Sequence, residues 1–252
     1  MHAPLCQATA DRPAEAGRQV RTVAVFGLVH GGFHGAWCWE HLVPELANRG
    51  HDSVAMDLPV DVPDATLADY VEAVVDALAP VTEPVVLVGH SMGGLVIPHV
   101  ADRRPVSRLV FICAMFANLP DPPLGVELPS ITQATFDSSL LTIDDQVTTI
   151  SPEAAVAAFF GDCDPAVAEW AADQLRPQGR APATPLVAPW PAVRSSVIVC
   201  TDDRSRDYQS LVVAPRLAVE AIELPGGHSP FLSRPAALAD VLDRIAQEVR
   251  TG

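Results

Sequence analysis

The 252-residue chain contains no stretch of about 18 consecutive apolar residues, which is the minimum that a membrane-spanning helix requires. Residues 1–20 also lack an apolar segment of signal-peptide length, and their Ala, Pro and charge content predicts a flexible N-terminal tail. We therefore expect a protein without a membrane partner.

Basic residues are scarce. The chain has 16 Lys and Arg against 31 Asp and Glu, which gives a formal net charge of −15. A protein with this charge is repelled by phosphate backbones and by anionic lipid surfaces. The balance excludes nucleic acid binding and disfavours a strongly anionic substrate.

The five cysteines are odd in number, form no Cys-x-x-Cys and show no disulfide spacing. This usage predicts a reducing, cytoplasmic compartment, with Cys113 and Cys200 as buried thiols in apolar runs. Since the cysteines form no clustered ligand set, we expect no metal and no organic cofactor.

Apolar runs alternate with amphipathic segments along most of the chain. The runs predict strands at Thr22–Val29, Ser53–Met56, Pro84–Val88, Ser107–Cys113, Ser195–Cys200 and Ala218–Leu224. The amphipathic segments predict helices at Trp37–Arg49, Thr66–Leu78, Leu95–Ala101, Tyr208–Arg216 and Pro235–Val249. This alternation is typical of an α/β fold, with a mostly parallel, doubly wound sheet in a single domain over residues 21–252.

The alternation stops between residues 118 and 193, where prolines crowd at both ends of the segment. Helical patterns lie between the two clusters, at Ser151–Phe160 and Pro165–Gln174. Ligands bind at the carboxyl ends of parallel strands, so an insertion leaving that edge would form a lid over the site.

A serine stands between two glycines in Gly89-His-Ser-Met-Gly93, directly after a predicted strand and before a predicted helix. Gly-x-Ser-x-Gly in this context is typical of a nucleophile on a sharp strand-to-helix turn, where flanking side chains would collide with backbone. We predict Ser91 as a nucleophile.

A serine hydroxyl needs a base and an orienting carboxylate. His228 follows two glycines on a loop after a predicted strand, and we predict it as the base. The acid follows the strand Ser195–Cys200, where Asp203 is our choice and Asp202 the alternative, because only one of the two can face inward.

The oxyanion of acyl transfer needs two N–H donors. One is expected from Met92, the residue after the nucleophile. The other is expected from the small-residue loop after the first strand, at Gly32 in preference to Phe33. The predicted substrate contacts are Gly31, Phe33 and Phe116.

Together with Asp203 and Gly-Gly-His228, the stretches His30-Gly-Gly-Phe-His-Gly-Ala-Trp-Cys-Trp39 and Gly89-His-Ser-Met-Gly93 resemble the α/β-hydrolase superfamily. They are most similar to its branch of plant methyl esterases and hydroxynitrile lyases. The resemblance covers nearly the whole chain from Thr22 apart from the insertion. It implies an α/β-hydrolase fold and a structural role for His34.

The lyases of this branch resemble one another in a threonine after the first loop histidine and a lysine after the catalytic histidine. Here those positions are Gly31 and Ser229, so the chain resembles the esterases.

We expect a serine hydrolase that cleaves a neutral, fairly hydrophobic carboxylic ester or lactone. The alternatives are a lyase or cyclase using the same residues, or a non-catalytic receptor. The partner expected is a small-molecule substrate, and a homodimer is compatible with the sequence.

Overall fold

The computed structural model describes residues 24–116, 119, 141–143, 147–179 and 190–251. The predicted tail at residues 1–20 lies outside them. Strands in chain order are β1 (Val25–Val29), β2 (Asp52–Met56), β3 (Val85–His90), β4 (Val106–Ile112), β5 (Leu141–Ile143), β6 (Val147–Ile150), β7 (Gln178–Gly179), β8 (Ser195–Cys200) and β9 (Ala221–Leu224).

Six of these strands form one sheet in the order β2-β1-β3-β4-β8-β9. Every neighbouring pair in it is parallel. β3 and β8 are buried at every position, which is why each contains a continuous apolar run, Val85–Val88 in β3 and Val197–Cys200 in β8. The predicted α/β class and parallel sheet are confirmed, and all carboxyl ends of the sheet lie at one edge.

Helices cover both faces of this sheet. They are α1 (Leu42–Asn48), α2 (Leu67–Ala77), α3 (Gly93–Val100), α4 (Pro152–Ala155), α5 (Pro165–Asp173), α6 (Arg206–Tyr208), α7 (Ala214–Arg216), α8 (Pro230–Ser233) and α9 (Pro235–Thr251). One core contains side chains of α1, α8 and α9, and a second contains those of α2 and α3. Among the described residues, no helix combines the length and apolarity that crossing a membrane requires.

Two helix starts illustrate how the sequence directs local structure. Thr66 caps α2: its hydroxyl accepts from the Asp69 N–H, and the Asp69 carboxylate accepts from the Thr66 N–H. The helix predicted over Trp37–Arg49 is instead a 3₁₀ turn at Ala36–Trp39 followed by α1. Pro44 explains the break, because proline is tolerated in the first turn of a helix and disrupts its interior.

The segment between β4 and β8 carries both predicted helices and a feature that was not predicted. α4 continues as a π-helical stretch at Val156–Phe160, and α5 follows. The described residues also contain a small antiparallel sheet in the order β5-β6-β7. Its strands are two to four residues long, too short for a period of two to be recognised in the sequence.

Candidate active site

Ser91 lies on a sharp turn between β3 and α3. Its φ of 48° falls in the left-handed region, which is strained for a residue with a side chain. Backbone hydrogen bonds hold this conformation: the Ser91 N–H donates to the Ile112 carbonyl at 3.1 Å, and the Met115 N–H donates to the Ser91 carbonyl at 2.8 Å. The end of β4 therefore braces the turn.

The glycines flanking the serine are required by close backbone approach. A Cβ on Gly89 would lie 2.8 Å from the Gly93 carbonyl oxygen, and a Cβ on Gly93 would lie 2.6 Å from that of Val29. Neither neighbour is a flexible side chain, so no side chain fits at either position. The turn therefore requires glycine at both places, at Gly89 for its own closure and at Gly93 for packing against β1.

His228 and Asp203 meet beside this turn. The Asp203 carboxylate Oδ2 lies 3.3 Å from His228 Nδ1, and the two side chains are 7% and 15% exposed. Asp202, the alternative acid, is exposed, and its N–H donates to the Gly226 carbonyl at 2.9 Å. The structure thus brings Asp203, rather than Asp202, to the imidazole.

Asp203 remains ionised despite its burial. Burial by itself raises the pKa of this carboxyl. Hydrogen bonding to His228 and attraction to it, together with donation from the Ser205 hydroxyl and N–H, outweigh that effect and lower the pKa to about 2. The Ser205 hydroxyl lies 2.8 Å from Asp203 Oδ2 and accepts from Gln209 Nε2 at 2.7 Å. A carboxylate held in this way can orient an imidazole and stabilise its cation.

The loop that carries His228 is fixed from two sides. Asp162, in the insertion, accepts from the Gly227 N–H at 2.9 Å through Oδ2. His90 Nε2 donates to the His228 carbonyl at 3.0 Å. Gly226 has a φ of 125°, a conformation that favours glycine.

The loop after β1 is held by its own histidines. His34 Nδ1 donates to the Gly32 carbonyl at 2.6 Å, and the His34 ring stacks on Trp37. His30 Nδ1 donates to the Gly31 carbonyl at 2.8 Å, while its Nε2 accepts from the Leu58 N–H at 2.9 Å. Although the spacing His-x-x-x-His can be that of a metal-binding pair, three of the four ring nitrogens are already bonded to backbone.

Burial keeps these histidines neutral. It lowers the pKa of His30 to about 4 and that of His34 to about 3, and it holds the pKa of His90 well below its ordinary value. Their hydrogen bonds to backbone carbonyls oppose the shift without overcoming it. Neutral rings of fixed tautomer can support the site without placing extra positive charge beside His228.

Phe33, next to the predicted oxyanion donor Gly32, is clamped by the segment around β7. Phe33 has a φ of 64°. Its N–H donates to the Gln178 side-chain oxygen at 3.2 Å, and its carbonyl accepts from the Arg176 N–H at 2.7 Å. Gln178 is buried and also donates to the Tyr70 hydroxyl at 3.1 Å. Because 145 residues separate Gln178 from Phe33, no local sequence pattern pointed to it.

Ser91, Asp203 and His228 line one cavity of about 790 Å³, together with Gly32 and Met92. Met92 directly precedes α3, where the first N–H groups of a helix have no partner within it. The remaining wall is largely apolar and includes Phe33, Leu95, Cys113, Ala114, Met115, Ala157, Ala158 and Phe159. The cavity can therefore hold an apolar ligand against the serine.

Two of the three predicted substrate contacts do not line this cavity. Phe116 packs on Phe111 with ring centroids 4.7 Å apart. Gly31 packs against Ser91, and a Cβ on Gly31 would lie 2.8 Å from the Cβ of Ser91. Phe33 does line the cavity. The position of Phe116 does not support a substrate contact, and Gly31 is required for close packing.

A parallel sheet with a serine on a strained strand-to-helix turn is the arrangement that defines α/β hydrolases. The family model described as "Alpha/beta hydrolase family" matches residues 28–241. The chain therefore belongs to the alpha/beta hydrolase family.

Similar proteins indicate the branch of this family to which the chain is related. The chain is 30% identical over 255 residues to norfluorocurarine synthase 1 of Strychnos nux-vomica, covering 89% of this chain and 96% of the relative. It is 35% identical over 113 residues to methylesterase 7 of Arabidopsis thaliana, covering 40% and 44%. The structure of polyneuridine aldehyde esterase matches with a TM-score of 0.71 at 25% identity, covering 88% and 99%. The predicted relation to plant methyl esterases is confirmed, and so is the prediction of an ester-cleaving type of enzyme.

Proposed function

We propose that the protein is a serine esterase that hydrolyses a neutral, fairly hydrophobic carboxylic ester or lactone through an acyl-enzyme. The observation that carries this proposal is the Asp203–His228 pair at 3.3 Å, on the wall of the cavity that also contains the strained Ser91. Methylesterase relatives support the reaction class. The cytoplasmic location remains part of the proposal and depends on cysteine usage.

In the first half-reaction, His228 Nε2 takes the proton of the Ser91 hydroxyl as its oxygen forms a bond to the ester carbonyl carbon. Since Nδ1 faces Asp203, Nε2 is the nitrogen available to the serine. The N–H groups of Gly32 and Met92 donate to the oxyanion of the tetrahedral intermediate. The C–O bond then breaks, and the leaving alcohol takes the proton back from His228.

In the second half-reaction, His228 removes a proton from water as the water oxygen adds to the acyl carbon. The same two N–H groups stabilise the second oxyanion. Collapse releases the carboxylic acid and returns the proton to the Ser91 oxygen. Asp203 stays ionised throughout and compensates the imidazolium that forms twice in each cycle.

The cavity wall supports an apolar acyl or alcohol group. Phe33, Leu95 and Phe159 present carbon surface to it, and burying such surface contributes about 25 cal/mol per Å². A charged acid product would be less well accommodated against these side chains. The ester group itself would bind at the polar part of the wall that contains Ser91 and His228.

Hydrolysis of p-nitrophenyl acetate, butyrate and octanoate by the wild type and by Ser91→Ala tests the proposal. We expect Ser91→Ala to lose at least about a thousandfold in kcat/KM. Ser107→Ala is a matched control, because the Ser107 hydroxyl donates to the Val85 carbonyl at the opposite end of the sheet. Equal rates in the wild type and Ser91→Ala would refute the esterase and direct attention to the lyase and receptor alternatives.

A further inference from the structure

Cys113 is a thiol beside the catalytic pair that the proposed reaction does not use. It directly follows β4, is buried and has a φ of 46°, a strained conformation for a residue with a side chain. Its Sγ, one Asp203 carboxylate oxygen and one His228 ring nitrogen all lie within 4.8 Å of one another. The three residues follow β4, β8 and β9, which are adjacent in the sheet.

A thiolate, an imidazole and a carboxylate are the ligand types that Zn²⁺ prefers. In a tetrahedral site, with bonds of about 2.0–2.1 Å to nitrogen and oxygen and about 2.3 Å to sulfur, ligand atoms lie roughly 3.3–3.6 Å apart. The 3.3 Å between His228 Nδ1 and Asp203 Oδ2 already has this value. It exceeds the length of about 2.7–2.9 Å that is usual for a charge-assisted hydrogen bond.

We propose that Cys113, Asp203 and His228 form an inhibitory zinc-binding site. Since Sγ lies within 4.8 Å of the other two ligand atoms, bringing it into the tetrahedron requires a shift of at most roughly 1 Å. All three residues line the cavity, so water can occupy the fourth position. Ser205 donates to both Asp203 oxygens and orients the carboxylate, as hydrogen bonds to ligating groups do in metal sites.

Binding would inhibit by changing the tautomer of His228. Zn²⁺ displaces the thiol proton of Cys113, which leaves to solvent, and takes the Nδ1 lone pair. The proton of the neutral imidazole must then reside on Nε2, the nitrogen that has to accept the Ser91 proton. The zinc-bound enzyme thus keeps its serine and loses its base. The inhibition rests on the proposed function, whereas metal binding does not.

Cadmium titration of the full chain tests binding without reference to activity, through the ultraviolet thiolate-to-metal charge-transfer band. The wild type should show a saturable band that is absent from Cys113→Ala, while Cys163→Ala, which removes a partly exposed thiol outside the cluster, should retain it. His228→Ala should weaken cadmium binding at least about tenfold. Identical titrations of the wild type and Cys113→Ala would overturn the proposal.

Zinc inhibition of ester hydrolysis then tests the consequence, with each variant compared with its own zinc-free rate. The zinc concentration for half-inhibition should rise at least about tenfold in Cys113→Ala and in the near-isosteric Cys113→Ser, and stay unchanged in Cys163→Ala. Equal inhibition of all variants would overturn the inhibitory role. If no ester is turned over, the proposed function fails, and the cadmium titration still decides whether the site binds metal.

Discussion

We predict that Gln178 positions the loop after β1, which carries Gly32 and Phe33, because its side-chain oxygen accepts from the Phe33 N–H. Gln178→Leu removes this acceptor while nearly keeping the side-chain volume. A buried donor left without a partner costs about 1–3 kcal/mol. The loop can relieve this cost by turning, which withdraws the adjacent Gly32 N–H from the oxyanion. Complete loss of one such donor costs roughly 10²–10³ in kcat. We therefore expect partial loss, with kcat lower by about 10–100-fold and KM changed by less than about threefold.

Steady-state kinetics on a p-nitrophenyl ester measures both constants, with Gln174→Leu as the control, since Gln174 is exposed and lies just after α5. Gln178→Glu keeps an acceptor but brings negative charge toward the oxyanion. Its rate relative to the wild type should therefore rise as pH is lowered and the new carboxyl is protonated. Gln178→Leu kinetics within about twofold of the wild type would refute the positioning role.

Three further outcomes are expected. Gly93→Ala should lower the free energy of unfolding by about 2 kcal/mol, because its Cβ would lie 2.6 Å from a backbone oxygen. Gly161→Ala is the control and should change the free energy of unfolding little, because its Cβ would lie 3.6 Å from the nearest atom. Equal denaturation curves for the two variants would contradict this prediction. Burial lowers the pKa of His34 to about 3 in the folded protein, whereas it is 6.5 in the unfolded chain, so the free energy of unfolding should fall as pH drops from about 6.5 toward 3. In His34→Gln, the slope of this free energy against pH, measured by urea denaturation, should be smaller by about 1.4 kcal/mol per pH unit. An unchanged slope would refute the assignment. Asp203→Asn should lower kcat by about 10³–10⁴ and Asp202→Asn by less than about twofold, and the reverse pattern would make Asp202 the acid.

The central strands of the sheet were predictable because they are buried on both faces. Ser195–Cys200 has the same bounds in the sequence prediction and in the structure, since the buried strand contains the apolar run Val197–Cys200. The capping box of α2 was equally predictable, because Thr66 and Asp69 interact within one turn. Where a single proline decided the outcome, as at Pro44, the amphipathic pattern alone was misleading.

The parts of the site that were missed depend on contacts between distant segments. The clamp of Gln178 on Phe33 joins the insertion to the first loop, and Asp162 reaches the loop of His228 in the same way. Phe116 was predicted as a substrate contact, but its ring packs on Phe111 and does not line the cavity. Side-chain direction after a strand ends depends on tertiary packing, which a local pattern does not encode.

The most direct test of the central claim is covalent labelling by a fluorophosphonate, followed by peptide mass spectrometry. An activated serine attacks the phosphorus and expels fluoride, so the wild type should carry one phosphonyl group on the peptide that contains Ser91. Ser107→Ala should be labelled equally, and Ser91→Ala not at all. A folded wild type that remains unlabelled, or one labelled on another residue, would contradict the assignment of Ser91 as the nucleophile.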